Sequence, residues 1–201
     1  MSAGPAPAAP LEPAIIPGSG PLAGATPRRR AANLLAQRLL WPLAILLALV
    51  LLVFYVLFGH SRVAGPSMLP TLRDGDYILV TKGLSQPRRG DIVVLETTEA
   101  GRPTELVKRI VALAGDRVHI AGDFALVNGA PEQFPHLVFR GSLAWPVQDL
   151  TVPRGTVFVL GDNRPVSYDS RYVGPFNVAQ IQGRVVAVYA PVGRIGLVAG
   201  P

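Results

Sequence analysis

The sequence contains no cysteine, which excludes disulfides, thiolate metal sites and a cysteine nucleophile. Histidine is nearly as scarce: His60, His119 and His136 stand far apart, without the spacing of a metal-ligand set. Neither a metal nor a cofactor is expected. Charge is thin as well, with Asp, Glu, Lys and Arg at 16% against 49% apolar residues. The net charge of +6 could suggest nucleic acid. However, Arg28, Arg29, Arg30 and Arg38 cluster before one apolar segment, and the other basic residues are interleaved with Asp and Glu. That distribution fits membrane orientation, not a phosphate-binding stripe. No internal repeat is present.

What the chain does have is one long apolar run. Leu39 to Phe58 is almost wholly apolar, and twenty residues at about 1.5 Å each span roughly 30 Å, the thickness of a hydrocarbon core. Pro42 falls in the first turn of that run, where its missing N–H costs little. A cleaved leader would have a shorter apolar core and a small-residue cleavage site, whereas Gly59-His60-Ser61-Arg62 follows here. Residues 39–59 are therefore expected to be an uncleaved transmembrane helix. Residues 1–38, rich in Ala, Pro and Gly with a basic flank, read as a disordered cytoplasmic tail. The rest of the chain then lies outside the cytoplasm.

Residues 60–201 read as mostly β. Tyr77–Thr81, Asp91–Leu95, Arg109–Leu113, Thr156–Leu160 and Gly183–Tyr189 are short β-branched runs bounded by Gly, Pro and Asp. No helical periodicity of length appears among them. Residues 121–155 hold more Pro and aromatics and read as a looser insertion.

Three segments carry possible chemistry. In Gly65-Pro-Ser-Met-Leu-Pro-Thr-Leu72 a Gly-Pro turn delivers Ser67 beside a strand, and Pro70 keeps the segment from pairing. A serine needs a base to be nucleophilic. His119 and His60 are candidates, but no acidic residue stands in an obvious orienting relation to either. Lys108 is the other option. On a strand, Leu106, Lys108 and Ile110 share one face, and apolar neighbours disfavour an ammonium. Lowering a lysine from about 10.4 to near 8 takes roughly 3 kcal/mol, within reach of burial. In the third segment, Val159 to Tyr172, a polar loop follows a strand, and Asp169 and Arg171 could pair.

Together these segments resemble the type I signal peptidases. Ser-Met-Leu-Pro-Thr-Leu72 with the following Gly75-Asp76 matches that family's nucleophile segment. Arg89-Gly-Asp-Ile-Val-Val94 matches the next motif, and Lys108-Arg109 with Gly115-Asp116-Arg-Val118 the general-base segment. Gly161-Asp-Asn-Arg164 with Ser167, Asp169, Ser170 and Arg171 matches the last, and the closing Gly193-Arg-Ile-Gly-Leu197 is also similar. The four motifs fall in family order over residues 61–198.

The resemblance implies a fold of several coiled antiparallel sheets and a serine endopeptidase acting through a Ser67–Lys108 dyad. Ser167 would orient the Lys108 amine, and Asp162–Arg109 and Asp169–Arg171 would be structural ion pairs. The Ser67 backbone N–H would give one oxyanion donor. Many bacterial members place a second, a serine hydroxyl, where this chain has Gly65. The implied substrates are preprotein signal peptides with Ala-X-Ala-like ends, met at the lipid bilayer. Two other readings compete: a Ser/Lys protease with a different client, and a non-catalytic anchored β domain.

Overall fold

The computed structural model describes residues 27–83, 86–99, 101–132 and 147–198. By contacts the chain divides into a unit ending at Leu49 and a unit from Val50 onward.

Helix α1 runs Pro27–Leu57. Proline at its first position has the φ a helix needs and gives up only an N–H that would be orphaned there. The good helix formers Arg, Ala, Leu and Gln then carry the helix up to the apolar run. The start is thus twelve residues earlier than the apolar run suggests, and residues 27–38, expected in the tail, are helical. Pro42 is consequently inside the helix, where it removes the bond to the Arg38 carbonyl. Residues 37–57 form a helix long and apolar enough to cross a membrane, with a mean hydropathy of 2.8. The expected disorder of residues 1–26 lies outside the described residues.

The second unit is β-rich. Its larger sheet has the order β1-β2-β11-β3-β4-β9-β10, with β12 added to β11. The strands are β1 (Phe58–Arg62), β2 (Tyr77–Lys82), β3 (Ile92–Glu99), β4 (Arg102–Leu113), β9 (Thr156–Leu160), β10 (Phe176–Asn177), β11 (Ile181–Ala190) and β12 (Gly196–Leu197). All are antiparallel to their neighbours. Strand β3 is buried on both faces. Its Ile92 and Val94 join a core with Met68, Leu72, Ile78 and Val185, while Val93 and Leu95 join another with Ile110, Val159 and Phe176. A single helical turn, α2 (Ser170–Val173), follows β9.

The region expected to be a loose insertion is largely a second sheet, of order β7-β6-β5-β8. It comprises β5 (Arg117–Ala121), β6 (Phe124–Val127), β7 (Ala130–Pro131) and β8 (Gln148–Thr151); residues 133–146 are outside the described set. Asn128 and Gly129, both at positive φ (54° and 83°), make the β6–β7 hairpin turn. The inner face of this sheet packs Val118, Ile120, Ala125 and Val127 on Phe158 and Leu160 of the larger sheet.

Candidate active site

Ser67 sits on the loop between β1 and β2 and is held from both sides. Its neighbour Met68 is fully buried in the first core, as is Leu72, so the chain around the serine is pinned by apolar burial. On the other side the Asn163 backbone N–H donates to the Ser67 carbonyl at 2.9 Å, and the Asn163 side chain to the Pro66 carbonyl at 3.1 Å. Gly65 adopts φ 85°, and its N–H donates to Asp74 Oδ1 at 2.9 Å. That N–H is therefore already engaged. A Cβ at Gly65 would meet open space.

Lys108 reaches Ser67 from β4. Its Nζ donates to Ser67 Oγ at 2.9 Å and to the Val107 carbonyl at 3.0 Å, and the residue is only 3% exposed. Burial pulls the amine down from an ordinary 10.5 to about 8, against the opposing pull of Asp169 and Asp162. Leu106 and Ile110, two positions either side of Lys108, pack on one core while Val107 packs on the other, the alternation expected of the strand. The two groups open into a concavity of about 270 Å3, walled by residues 61–68 and 105–108 with Val166 and Tyr168.

Behind the dyad lie buried ion pairs. Arg109, next to Lys108, forks onto Asp162 through Nε (2.8 Å) and Nη2 (2.7 Å) and gives Nη1 to the Gly90 carbonyl at 2.9 Å. Thr71 donates to the same carboxylate, tying the nucleophile loop to it. Asp169 receives Arg171 Nε at 2.8 Å and Nη2 at 2.9 Å, and also accepts the Gly161 backbone N–H at 3.0 Å. Both carboxylates thus stand close enough to act on the amine while being balanced by arginines.

Ser167, implied to orient Lys108, is 2% exposed, and its hydroxyl has no hydrogen-bond partner among the described residues. It does press on Gly161. A Cβ there would lie 2.6 Å from the Ser67 carbonyl oxygen and closer still to the Ser167 side chain. Only glycine allows the two loops to approach this far.

The two described histidines are elsewhere, and His136 lies outside the described residues. His119 is on β5, paired with Asp149 at 2.8 Å, a partnership the sequence did not suggest. The pair lines an open concavity of about 710 Å3 on the smaller sheet that includes neither Ser67 nor Lys108. His60 is on β1, one strand position outside the walls of the Ser67 cleft.

Sequence reasoning gave no role to Arg164. It is 2% exposed and donates to the Gly161 carbonyl (3.1 Å), to the Asp123 carbonyl (2.7 Å) and to Glu132. The smaller sheet is thereby bound to the loop carrying Ser167. Arg194, in the closing Gly-Arg-Ile-Gly stretch, likewise grips buried Asp76 at 2.9 Å and the Thr71 carbonyl at 3.1 Å. Burial opposes ionisation of Asp76, but bonds from Arg194 and the Arg73 N–H outweigh it and lower its pKa.

Among known proteins, the family model described as "Signal peptidase, peptidase S26" matches residues 36–190. A signal peptidase I from Bacillus caldolyticus is 34% identical over 75% of this chain and 90% of its own. One from Bacillus amyloliquefaciens is 37% identical over 77% of this chain and 89% of its own. Among solved structures, a signal peptidase I from Enterococcus faecalis V583 matches with a TM-score of 0.40 and 30% identity, covering 51% of this chain and 98% of the other.

Proposed function

The chain belongs to the signal peptidase, peptidase S26, family, serine endopeptidases that remove signal peptides, and from that premise we propose that Ser67 is its nucleophile and Lys108 its general base. The observation that supports this assignment is the 2.9 Å contact between Lys108 Nζ and Ser67 Oγ on an amine whose charge burial disfavours.

The reaction is acyl transfer. Neutral Lys108 takes the Ser67 proton as Oγ attacks the scissile carbonyl carbon, and the Lys108 ammonium then returns that proton to the leaving amine. The C–N bond breaks, leaving an ester on Ser67. Water, deprotonated by Lys108, attacks the ester and frees the new carboxylate and the serine. A positioned base of this kind contributes about 10²- to 10⁴-fold. The Ser67 N–H stabilises the oxyanion, worth about 3 kcal/mol for such a donor. The second donor is not the Gly65 N–H, which Asp74 already engages. An orienting role for Ser167 rests on the family motif alone: the Lys108 amine is held by Ser67 and the Val107 carbonyl, and the buried Ser167 hydroxyl makes no hydrogen bond among the described residues. Asp162–Arg109 and Asp169–Arg171 hold the frame.

The substrate binds as an added strand. On the side away from β3, the ladder of β4 begins only at Arg109, so among the described residues 102–108 present a free edge, and β1, at one end of the sheet, presents another. Four successive antiparallel pairings make β1 and β4 run the same way. A peptide lying between them would pair on both sides. The shallow cleft suits the small side chains of an Ala-X-Ala-like end. The helix over residues 37–57 anchors the protein in the cell membrane, with the arginine-flanked N-terminus in the cytoplasm and the catalytic domain outside.

The test is to incubate the detergent-solubilised full chain with a model precursor and locate the cut by mass spectrometry. Wild type should cut at the signal-peptide junction, and Ser67→Ala and Lys108→Ala should lose all processing. A Lys108→Ala variant with substantial activity would remove Lys108 as the base.

A further inference from the structure

The two free edges are joined at one point beyond the dyad. Ser61 Oγ on β1 donates to Glu105 Oε2 on β4 at 3.0 Å. These two side chains with their hydrogen bond reach across roughly 10 Å at most, the gap left by one missing strand. They also divide the cleft. On one side is the concavity holding Ser67 and Lys108; on the other is a second, of about 280 Å3, lined by Gly59, His60, Ser61, Lys82 and Glu105 among others. Ser61 and Glu105 belong to both walls, so a peptide strand reaching the dyad from the start of β1 passes directly over this pair.

The charges nearby are not equivalent. The Lys82 ammonium is turned onto the Tyr55 carbonyl at 3.1 Å and the Tyr55 ring, and the Arg62 guanidinium lies over the Tyr77 ring. Glu105, exposed on its strand, has only the neutral Ser61 hydroxyl, and among the described residues it has no ion pair. Directly opposite it on β3 stands Glu96, engaged by the neutral Gln182 amide at 2.6 Å. The cleft wall therefore offers an uncompensated carboxylate at a fixed place.

We propose that Glu105 is a specificity-determining residue that favours a basic, and disfavours an acidic, side chain about four residues before the cut. The proposal rests on the reading of this cleft as a peptidase site. The position follows from register. Strand pairing advances one residue per residue, and Glu105 lies three positions before Lys108, which stands at the cut. The direction follows from connectivity. Strand β1 starts at Phe58, the residue after α1 ends, so a precursor leaving the same bilayer enters from that end, with its N-terminal part nearest Glu105.

The experiment compares peptides carrying Lys, Gln or Glu at the fourth residue before the cut, with the same series placed four residues after it as a control. Values of kcat/KM are measured at low and high salt for wild type, Glu105→Gln and Ser61→Ala. In wild type the order Lys over Gln over Glu is expected, with about threefold to fivefold per step, as for an exposed ion pair, shrinking at high salt. Glu105→Gln should flatten the order at the upstream position, and Ser61→Ala, which frees the carboxylate, should keep or steepen it. An order that survives in Glu105→Gln, a flat wild-type series, or an equal effect at the downstream control overturns the proposal. If wild type cuts none of the peptides, the peptidase reading itself fails and takes this one with it.

Discussion

Replacing Lys108 by Met should separate the role of the amine from its cost. The side chain is buried, and its pKa falls from 10.5 to about 8, which is about 3 kcal/mol between the charged and neutral forms. The sign follows from proton binding. Between about pH 8 and 10.5 the unfolded chain keeps a proton on this lysine that the folded chain has lost, so stability rises with pH across that window. Below about pH 8 the fold carries the full penalty of a buried ammonium. Met keeps the length and apolar stem but cannot titrate. Lys108→Met should therefore unfold at higher temperature than wild type near pH 7, by up to about 3 kcal/mol less the two hydrogen bonds lost to Ser67 and the Val107 carbonyl. That advantage should fall by about 3 kcal/mol between about pH 8 and 10.5, leaving only the cost of the lost hydrogen bonds. Thermal unfolding of both full chains in one detergent, at steps from pH 6.5 to 10.5, gives the difference curve, in which shared titrations cancel. Parallel curves, with no pH dependence in their difference, would refute the argument that burial discharges this amine.

Gly161→Ala would force a methyl to within 2.6 Å of the Ser67 carbonyl and into Ser167, so cleavage should fall by about 100-fold or more while the protein still folds; steady-state kinetics and circular dichroism together check this. Asp162→Ala leaves the buried Arg109 guanidinium without its bidentate partner and should cost about 3 to 5 kcal/mol in denaturant unfolding. Met68→Ala empties a fully buried site beside the nucleophile and should cost about 2 to 5 kcal/mol, with a loss of activity larger than Leu72→Ala produces at similar instability.

Local pattern made much of this molecule legible. Thr156–Leu160 is a strand at the bounds its β-branched run suggests, and the placing of Leu106 and Ile110 on one core with Val107 on the other follows from simple alternation. What escaped was information held at long range. Nothing near Arg164 in the chain announces Glu132, 32 residues away, and nothing near His119 announces Asp149, 30 away. Short strands such as Phe124–Val127 give too few residues for a period, although Asn128-Gly129 was a usable hairpin signal. The start of α1 escaped for a different reason. Helix-forming residues such as Arg and Ala before the apolar run carry no hydropathy signal, so hydropathy marks the span but not where the helix begins.

The most direct measurement is the rate at which Ser67 is acylated by an activated peptide ester, followed by intact-protein mass spectrometry from pH 6 to 11. The rate should climb about tenfold per pH unit and level off above about pH 8, where Lys108 has lost its proton. A rate that is flat, or that keeps climbing to the ordinary lysine range near 10.5, would contradict a neutral Lys108 as the group that activates Ser67.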